Sequence, residues 1–406
     1  MKPKLAQKIK LAALAMSLAA FAPTLLAQLS IPFNDGSDGV LNITNNTVID
    51  LRLAVTGNWT NNNAANAGKG IYDPTQWAVV FKYSAVTISS NATVSFINHS
   101  AHAPVVWLVS GSVTNNGVLS LDSQAGGAVS FDNLTLLEPG PGGFRGGARA
   151  QSALSQGGGF GPGGSRQNEG PAHGVYTITG LAYGNPQIIP LIGGSGGSSW
   201  DGDAGVNGGA GGGAILIAAA GSITVAASGL ISADGQNNHS GFFGSGGAIR
   251  LVANQIQGSG RIEATSAAYP GRIRLEANTT SGALSLNPAT IAVAPSPLII
   301  FPDPATAPTV RVVSVGGLAP PADPKAAMLA SGDDLTFTTT NVVSILLQTV
   351  NFPTNGTVNV YFKPRNGAQS TLQASYLSGN TNLATWQLNT LLPLSHVVIQ
   401  ARAVAP

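Results

Sequence analysis

The chain has 406 residues, of which 52 are glycine, none is cysteine and 9% are charged. Such a chain cannot rely on disulfides for its stability, and its high content of Val, Ile, Leu and Ala argues against disorder over most of its length. Low charge combined with many Gly, Asn, Ser and Thr residues favours short strands joined by tight turns.

Residues 1–27 are predicted to form a secretory signal peptide, because four lysines in the first ten residues precede an apolar run from Leu11 to Ala27. A lone membrane anchor is the alternative, but the run is short for a bilayer and Pro23 interrupts it. Cleavage before Gln28 would leave 15 of the 19 basic residues against 17 acidic ones. We therefore expect a secreted or cell-surface protein with no membrane span after cleavage and no nucleic-acid partner.

The middle of the chain contains a repeat whose connecting loops differ in length. Each copy reads strand, turn, strand, turn, strand, and apolar residues alternate along it. Alternation places Ile215, Ile249 and Ile273 at equivalent inward positions, where we expect them to stack. The copies are residues 77–99, 103–123, 212–234, 246–265 and 270–288.

Residues 33–290, which contain this repeat, resemble secreted glycine-rich bacterial proteins with a right-handed parallel β-helix of pectin-lyase-like architecture. Proteins of that architecture include polysaccharide lyases, glycosidases, adhesins and phage tailspikes. None of their catalytic signatures can be carried over to residues of this chain. The resemblance therefore implies a fold and leaves the activity open.

We predict an all-β fold with a right-handed parallel β-helix over residues 28–290, a proline-rich linker over 291–308 and a small antiparallel, Ig-like β-sandwich over 309–406. Residues 124–213 leave the repeat as a glycine-rich insertion. This insertion is interpreted either as a partly irregular segment, with extended glycine-dense strands, on one face of the helix, or as a binding loop.

Alternation also predicts an outward column of residues at aligned positions of successive copies, namely Trp107, Leu216, Arg250 and Arg274. Glu276 is expected on the same face. A solvent-facing salt-bridged ladder is the simpler interpretation, and it would contribute little stability. The alternative is a binding site for an anionic glycan. Either way, we expect these side chains to be exposed.

The segment Trp200-Asp201-Gly202-Asp203 offers carboxylates that could bind Ca²⁺, although an Asx turn is the more common role for such residues. His99 and His102 lie close enough in sequence to suggest zinc, but further ligands are missing from the pattern. Ser195 satisfies a G-x-S-x-G pattern without the helix that a nucleophile elbow needs. Calcium thus stays the one candidate cofactor, and no catalytic residue is assigned.

The composition favours a structural or adhesive protein that presents outward side chains to an extracellular polysaccharide or a cell-surface component. Trp107, Trp200, Arg250, Arg274 and Glu276 are the candidate binding residues. The alternative is a polysaccharide lyase or glycoside hydrolase that uses the arginines together with acids in a groove. Those acids would be Asp201, Asp203 and Asp234.

Overall fold

The computed structural model describes residues 29–123, 138–147, 158–164, 185–199, 207–236, 243–266, 269–295, 298–321, 333–364, 369–393 and 396–406. In this part of the chain the structure is almost entirely β, with short 3-10 helices at Leu51–Leu53 and Ala64–Asn66. None of the described helices is long and apolar enough to cross a bilayer. The predicted signal peptide lies outside the described residues.

Two sheets occupy the first part of the chain, one of nine strands and one of six. Their strands, in chain order, are β1 (Gly39–Ile43), β2 (Thr47–Asp50), β3 (Val55–Thr56), β4 (Ile71–Asp73), β5 (Ala78–Ile88), β6 (Thr93–Ile97), β7 (Val105–Val109), β8 (Val113–Asn115), β9 (Val118–Ser120), β10 (Ala214–Val225), β11 (Leu230–Ser232), β12 (Ala248–Gly258), β13 (Arg261–Glu263), β14 (Arg272–Gly282) and β15 (Ser285–Asn287).

The first sheet follows the order β14-β12-β10-β7-β5-β4-β3, with β1 beside β5 and β8 beside both β5 and β10. The second sheet follows the order β15-β13-β11-β9-β6-β2. Successive strands of both sheets pair in parallel, and β4 with β5 is the antiparallel exception. From β5 onward, each pass of the chain therefore adds to the first sheet and then to the second.

Columns of apolar side chains fill the space between the two sheets. Ile215 pairs with Ile249, which pairs with Ile273 on the next pass. They share one buried cluster with Ile231 and Ile262 of the second sheet. Burying an aliphatic side chain of this size contributes about 1.5–3 kcal/mol. The predicted inward ladder is confirmed.

Each long strand of the first sheet has two halves that differ in burial. The first half of β10 is buried on both faces, whereas its second half alternates between buried and partly exposed residues. The register with β12 shifts between Ala219 and Ser222, where one half gives way to the other. Ile188, Leu191 and Ile300 cover the outer face of the first half. The second half therefore carries the open face of this sheet.

The chain turns sharply where it leaves the first sheet for the second. Gly258 and Gly282 are in register at this turn and have φ values of +126° and +89°. Side chains other than glycine rarely adopt such values. This agrees with the predicted use of glycine at turns between strands.

Much of the described part of the predicted insertion forms what we call the glycine bundle, made of extended segments that are not strands of either sheet. Its members are residues 140–147, 158–164, 192–199 and 207–213, joined by residues 243–247 before β12. Segment 192–199 exchanges backbone hydrogen bonds with each of the other four. A β-strand bonds to two neighbours in one plane, so this arrangement is a three-dimensional bundle of extended chains.

Close packing of the bundle excludes side chains at many of its glycines. A Cβ built on Gly211 would overlap the carbonyl oxygen of Gly194, and one built on Gly194 would overlap that of Ser245. The segments approach this closely because their backbones are hydrogen-bonded on several sides. The glycine content of the bundle segments is therefore a packing requirement.

The C-terminal sheet has six antiparallel strands in the order β16-β17-β20-β19-β18-β21. Its edge strands contact each other, which gives a barrel-like shape around a separate apolar core. The predicted antiparallel unit is confirmed. Its strands are β16 (Thr309–Val315), β17 (Val343–Val350), β18 (Thr357–Pro364), β19 (Ser370–Gly379), β20 (Ala384–Thr390) and β21 (Val397–Val404).

Lys363 of β18 connects this sheet to the glycine bundle. Its side chain is buried, and Nζ donates hydrogen bonds to the carbonyl oxygens of Gly159 and Gly161, at 3.3 and 3.2 Å. Burial lowers the pKa of Lys363 to about 8. The bundle is thus held from one side by a desolvated ammonium group.

Replacing Gly211 by Ala should destabilise the protein by about 1–3 kcal/mol or more, because the new methyl group must displace hydrogen-bonded backbone. Gly57→Ala is the matched control, since its Cβ would have only Ile71 Cγ2 nearby, at 3.9 Å. Thermal unfolding of both variants checks this. Equal melting temperatures would contradict the close packing of the bundle.

Lys363→Met should change how stability depends on pH. The ordinary lysine pKa of 10.5 falls to about 8 in the fold, so between these values the unfolded chain binds more protons than the folded one. Wild-type stability therefore gains a contribution as pH rises through this window, and the variant lacks that gain. Urea unfolding of both proteins at several pH values from 7.5 to 10.5 measures their free energies of unfolding. The free energy of the wild type should rise relative to that of the variant as pH increases.

Exposed Lys69 provides the control, because Lys69→Met removes a solvated ammonium group. The gain in wild-type stability that Lys363 contributes over this pH window should persist in Lys69→Met. A parallel curve for Lys363→Met would show that the buried contact with Gly159 and Gly161 does not form.

Candidate functional site

A column of uncharged polar side chains runs along the open face of the first sheet. Its members are in register from strand to strand and are partly or fully exposed. We call this column the polar ladder. It consists of Asn42, Thr87, Thr114, Thr224, Gln257 and Ser281.

Hydrogen bonds join neighbouring members of the polar ladder. Gln257 Nε2 donates to Thr224 Oγ1 at 3.0 Å, and Ser281 Oγ lies 3.5 Å from Gln257 Oε1. A flanking column, Ser222, Gln255 and Thr279, follows the same register. Ser222 Oγ extends this column by donating to Ser112 Oγ at 3.3 Å.

Parallel pairing fixes the spacing of this surface. Neighbouring strands lie about 4.8 Å apart, so a hydroxyl or amide recurs at that interval along the stack. These groups both donate and accept hydrogen bonds and carry no charge. Such a surface suits a ligand that is itself periodic and rich in hydroxyl groups.

Part of the polar ladder can be read from the sequence, as a threonine that recurs at one position of the repeat. An alignment that considers only the apolar residues overlooks it. Thr87, Thr114 and Thr224 occupy the same place in the aligned segments AVTI, SVTN and SITV. Each threonine stands between two of the residues on which the copies are aligned. Alternation alone places these threonines on the outer face.

Arg250 and Arg274 are in register as predicted, but the expectation that Arg250 and Glu276 face solvent is wrong. Arg250 and Glu276 are only 3% and 2% exposed. Glu276 Oε1 accepts hydrogen bonds from Arg250 Nε at 2.9 Å and from Arg274 Nε at 2.7 Å. The carbonyl oxygen of Ile299 accepts another from Arg250 Nη1, at 2.7 Å. These groups form an ion triad in which Arg250 and Glu276 are buried beneath a covering segment and Arg274 is partly exposed.

Trp107 does not belong to that outward column, which corrects the predicted alignment. Val106 pairs with Leu216, and Trp107 pairs with inward-facing Ile217. The indole is fully buried, edge-on to Tyr83 at 5.7 Å between ring centroids. An offset of one residue moves a strand side chain to the opposite face.

The predicted site residues Trp200, Asp201 and Asp203 lie outside the described residues. Calcium binding by these two aspartates therefore stays a prediction. Within the described ranges, no group of three or more His, Asp and Glu side chains is placed to hold a metal ion.

The two loop histidines have other contacts. His99 stacks on Tyr72 at 3.9 Å between ring centroids, and its Nδ1 accepts from the backbone N–H of Ala101 at 3.1 Å. Burial lowers the pKa of His102 to about 4, and its Nε2 lies 3.3 Å from Glu138 Oε1. His102 is therefore neutral at physiological pH and serves as a hydrogen-bonding group.

Two acids occupy equivalent positions at the end of the second sheet. Asp122 accepts hydrogen bonds from the hydroxyls of Ser120 and Ser232, both at 2.8 Å, and from the backbone N–H of Asp234. Asp234 in turn accepts from the N–H and hydroxyl of Thr265 on the next pass. Burial raises the pKa of Asp234, while its bonds to Thr265 oppose that rise. The acids thus link successive passes.

Comparison of the chain with protein-family models, with curated proteins and with solved structures found no match. The function must therefore be inferred from the geometry of the chain itself.

Arg250→Ala should destabilise the protein by on the order of 3 kcal/mol, because it removes one partner of a buried carboxylate. Arg261→Ala should cost at most about 1 kcal/mol, because the Arg261–Glu263 pair is exposed. Urea unfolding of the two variants tests this difference. Equal free energies of unfolding would show that Arg250 is solvated, as the sequence alone suggested.

Proposed function

We propose that this chain is a secreted or cell-surface structural and adhesive protein that binds an extended, uncharged polysaccharide along the polar ladder. The regular recurrence of the ladder on an open face is the observation that carries the proposal. A polysaccharide repeats its hydroxyl groups along its length, so a periodic surface can hold it through many weak contacts. Each hydrogen bond contributes about 0.5–1.5 kcal/mol.

The proposal takes the two parallel sheets to be faces of a right-handed β-helix of pectin-lyase-like architecture. Its support is the strand order, in which one pass after another adds to both sheets around a common core. The C-terminal sheet is proposed to be an Ig-like sandwich module. Secretion rests on the predicted signal peptide, residues 1–27. A stiff rod exported in this way suits adhesion to a matrix or a cell surface.

A polysaccharide lyase or glycoside hydrolase is the second candidate function. Asp122 and Asp234 favour it, because they lie on successive passes and glycoside hydrolysis usually requires two carboxyl groups. Their hydrogen bonds argue against it, since Asp122 already accepts from three donors and Asp234 from Thr265. A catalytic base needs a lone pair directed at the substrate. We therefore favour the adhesive function over the enzymatic one.

Replacing Thr87, Thr114 and Thr224 together by Val should weaken polysaccharide binding at least tenfold. Valine keeps the shape and the strand preference and removes three hydroxyls. The mature chain from Gln28 should be tested by pull-down and affinity electrophoresis on cellulose, xylan, mixed-linkage β-glucan, agarose, alginate and pectin. Binding to the neutral polymers should change little with salt, because the ladder carries no charge.

A second triple variant, Thr93→Val, Thr357→Val and Thr385→Val, is the matched control, because these threonines lie on strands, are partly exposed and are outside the ladder. It should bind like the wild type. Equal binding by the two triple variants, or no binding to any neutral polymer, would refute the proposal. Release of new reducing ends or unsaturated uronates, lost in Asp122→Asn, would establish the second candidate instead.

A further inference from the structure

A cavity of about 280 Å³ lies on the outer side of the second sheet, away from the polar ladder. It is bounded by β6, by the end of β9 and its following residues, and by the segment that enters the glycine bundle. The residues that line it are mostly polar. They are Ser95, Phe96, Asn98, Ser120, Asp122, Ser123, Pro139, Gly140 and Pro141.

One wall of the cavity holds a buried amide with an unused acceptor. Asn98 is 8% exposed, and its Nδ2 donates to Glu138 Oε1 and to the carbonyl oxygen of Pro139, both at 2.8 Å. Its Oδ1 accepts no hydrogen bond within the described structure. Rotating the amide would turn the oxygen toward two acceptors, so its orientation is fixed. This oxygen has almost no accessible surface, so the amide holds Glu138 and Pro139 at the cavity wall and leaves contact with a ligand to other side chains.

The charged groups around the cavity are already engaged. The Asp122 carboxylate holds two hydroxyls and a backbone N–H. The Glu138 carboxylate is held by Asn98, His102 and Arg145. A bound cation would need those oxygens as ligands, and a bound anion would lie close to two carboxylates. The cavity therefore favours a neutral ligand with hydroxyl donors.

The volume of the cavity limits the size of the ligand that it can hold. The volume of 280 Å³ lies just below the range of about 300–1,000 Å³ that is typical for drug-sized ligands. Ser95 and Ser123 supply hydroxyls that donate and accept, while the rings of Pro139 and Pro141 provide apolar surface. These features together match one sugar ring, which presents hydroxyls at its edge and C–H groups on its faces.

We infer that this cavity binds a single unit of a neutral sugar, whose hydroxyls form hydrogen bonds with that of Ser95. The inference adds a second binding site to the proposed function. It depends on that proposal for the choice of a carbohydrate as the ligand, whereas the site itself follows from the cavity. A cavity on the second sheet would hold a chain end or side branch while the polar ladder holds the length of the chain.

Ser95→Leu tests the inference by filling the cavity from β6. Saturation-transfer NMR on the mature chain should test glucose, galactose, mannose, xylose and N-acetylglucosamine in turn, with glucuronate as a charged comparator. Titration calorimetry tests Ca²⁺ as the second charged comparator. We expect transfer to at least one neutral sugar and a tenfold or greater loss of affinity in Ser95→Leu. Thr93→Leu, which lies on the same face of β6 outside the cavity, should bind like the wild type.

Ser95→Val is the second variant, because it suits the strand and removes the hydroxyl with little change in volume; it should weaken binding less than Ser95→Leu. Absence of transfer to every neutral sugar, wild-type affinity in both Ser95 variants, or binding of the charged comparators alone would overturn the inference. The ladder variant of Thr87, Thr114 and Thr224 should keep monosaccharide binding. If the ladder proposal fails and this binding persists, the cavity stands as a separate site.

Discussion

The rest of the structure depends on the parallel register in which each pass of the chain pairs with the pass before it. In such a stack an equivalent residue of every pass lies in one column, and alternation assigns that column to the inside or the outside. Inward columns are mostly apolar, as Ile215, Ile249 and Ile273 show, and buried Asn115 is an exception that donates to the carbonyl oxygen of Leu230. Outward columns are free to repeat a polar group, and the polar ladder does so. One constraint thus produces both the core and the proposed binding face.

Close packing of glycine sets a second constraint, in the segments that lead into β10 and β12. There the stack continues as the glycine bundle, where backbone hydrogen bonds extend in several directions and leave no room for a Cβ. Glycine loses much conformational entropy on folding, and dense hydrogen bonding offsets this cost. The buried ammonium of Lys363 adds hydrogen bonds from the C-terminal sheet. A segment that resembles a flexible linker in composition therefore has a fixed structure.

The sequence was informative where a contact joins equivalent positions of neighbouring passes and misleading where it joins distant segments. Alternation alone predicted the column of Ile249, but a one-residue error in alignment placed Trp107 on the wrong face. Arg250 is buried because residues around Ile299 cross over it, and nothing in the local pattern of β12 reveals that cover. Asp122 and Asp234 occupy equivalent positions of two copies of the repeat, so their contact follows from the same register although the insertion separates them in sequence.

The placement of charge around the second sheet and its neighbours supports the proposal of a neutral ligand. Glu276 is bound by two arginines, Asp122 by hydroxyls and an N–H, and Glu138 by Arg145 and His102. Charges held in this way stabilise the contacts between passes and between segments, and they offer little to a ligand. Recognition then falls to uncharged hydroxyls and amides, each of which contributes little by itself. Affinity must come from the number of such groups in register, which favours a ligand with a matching repeat.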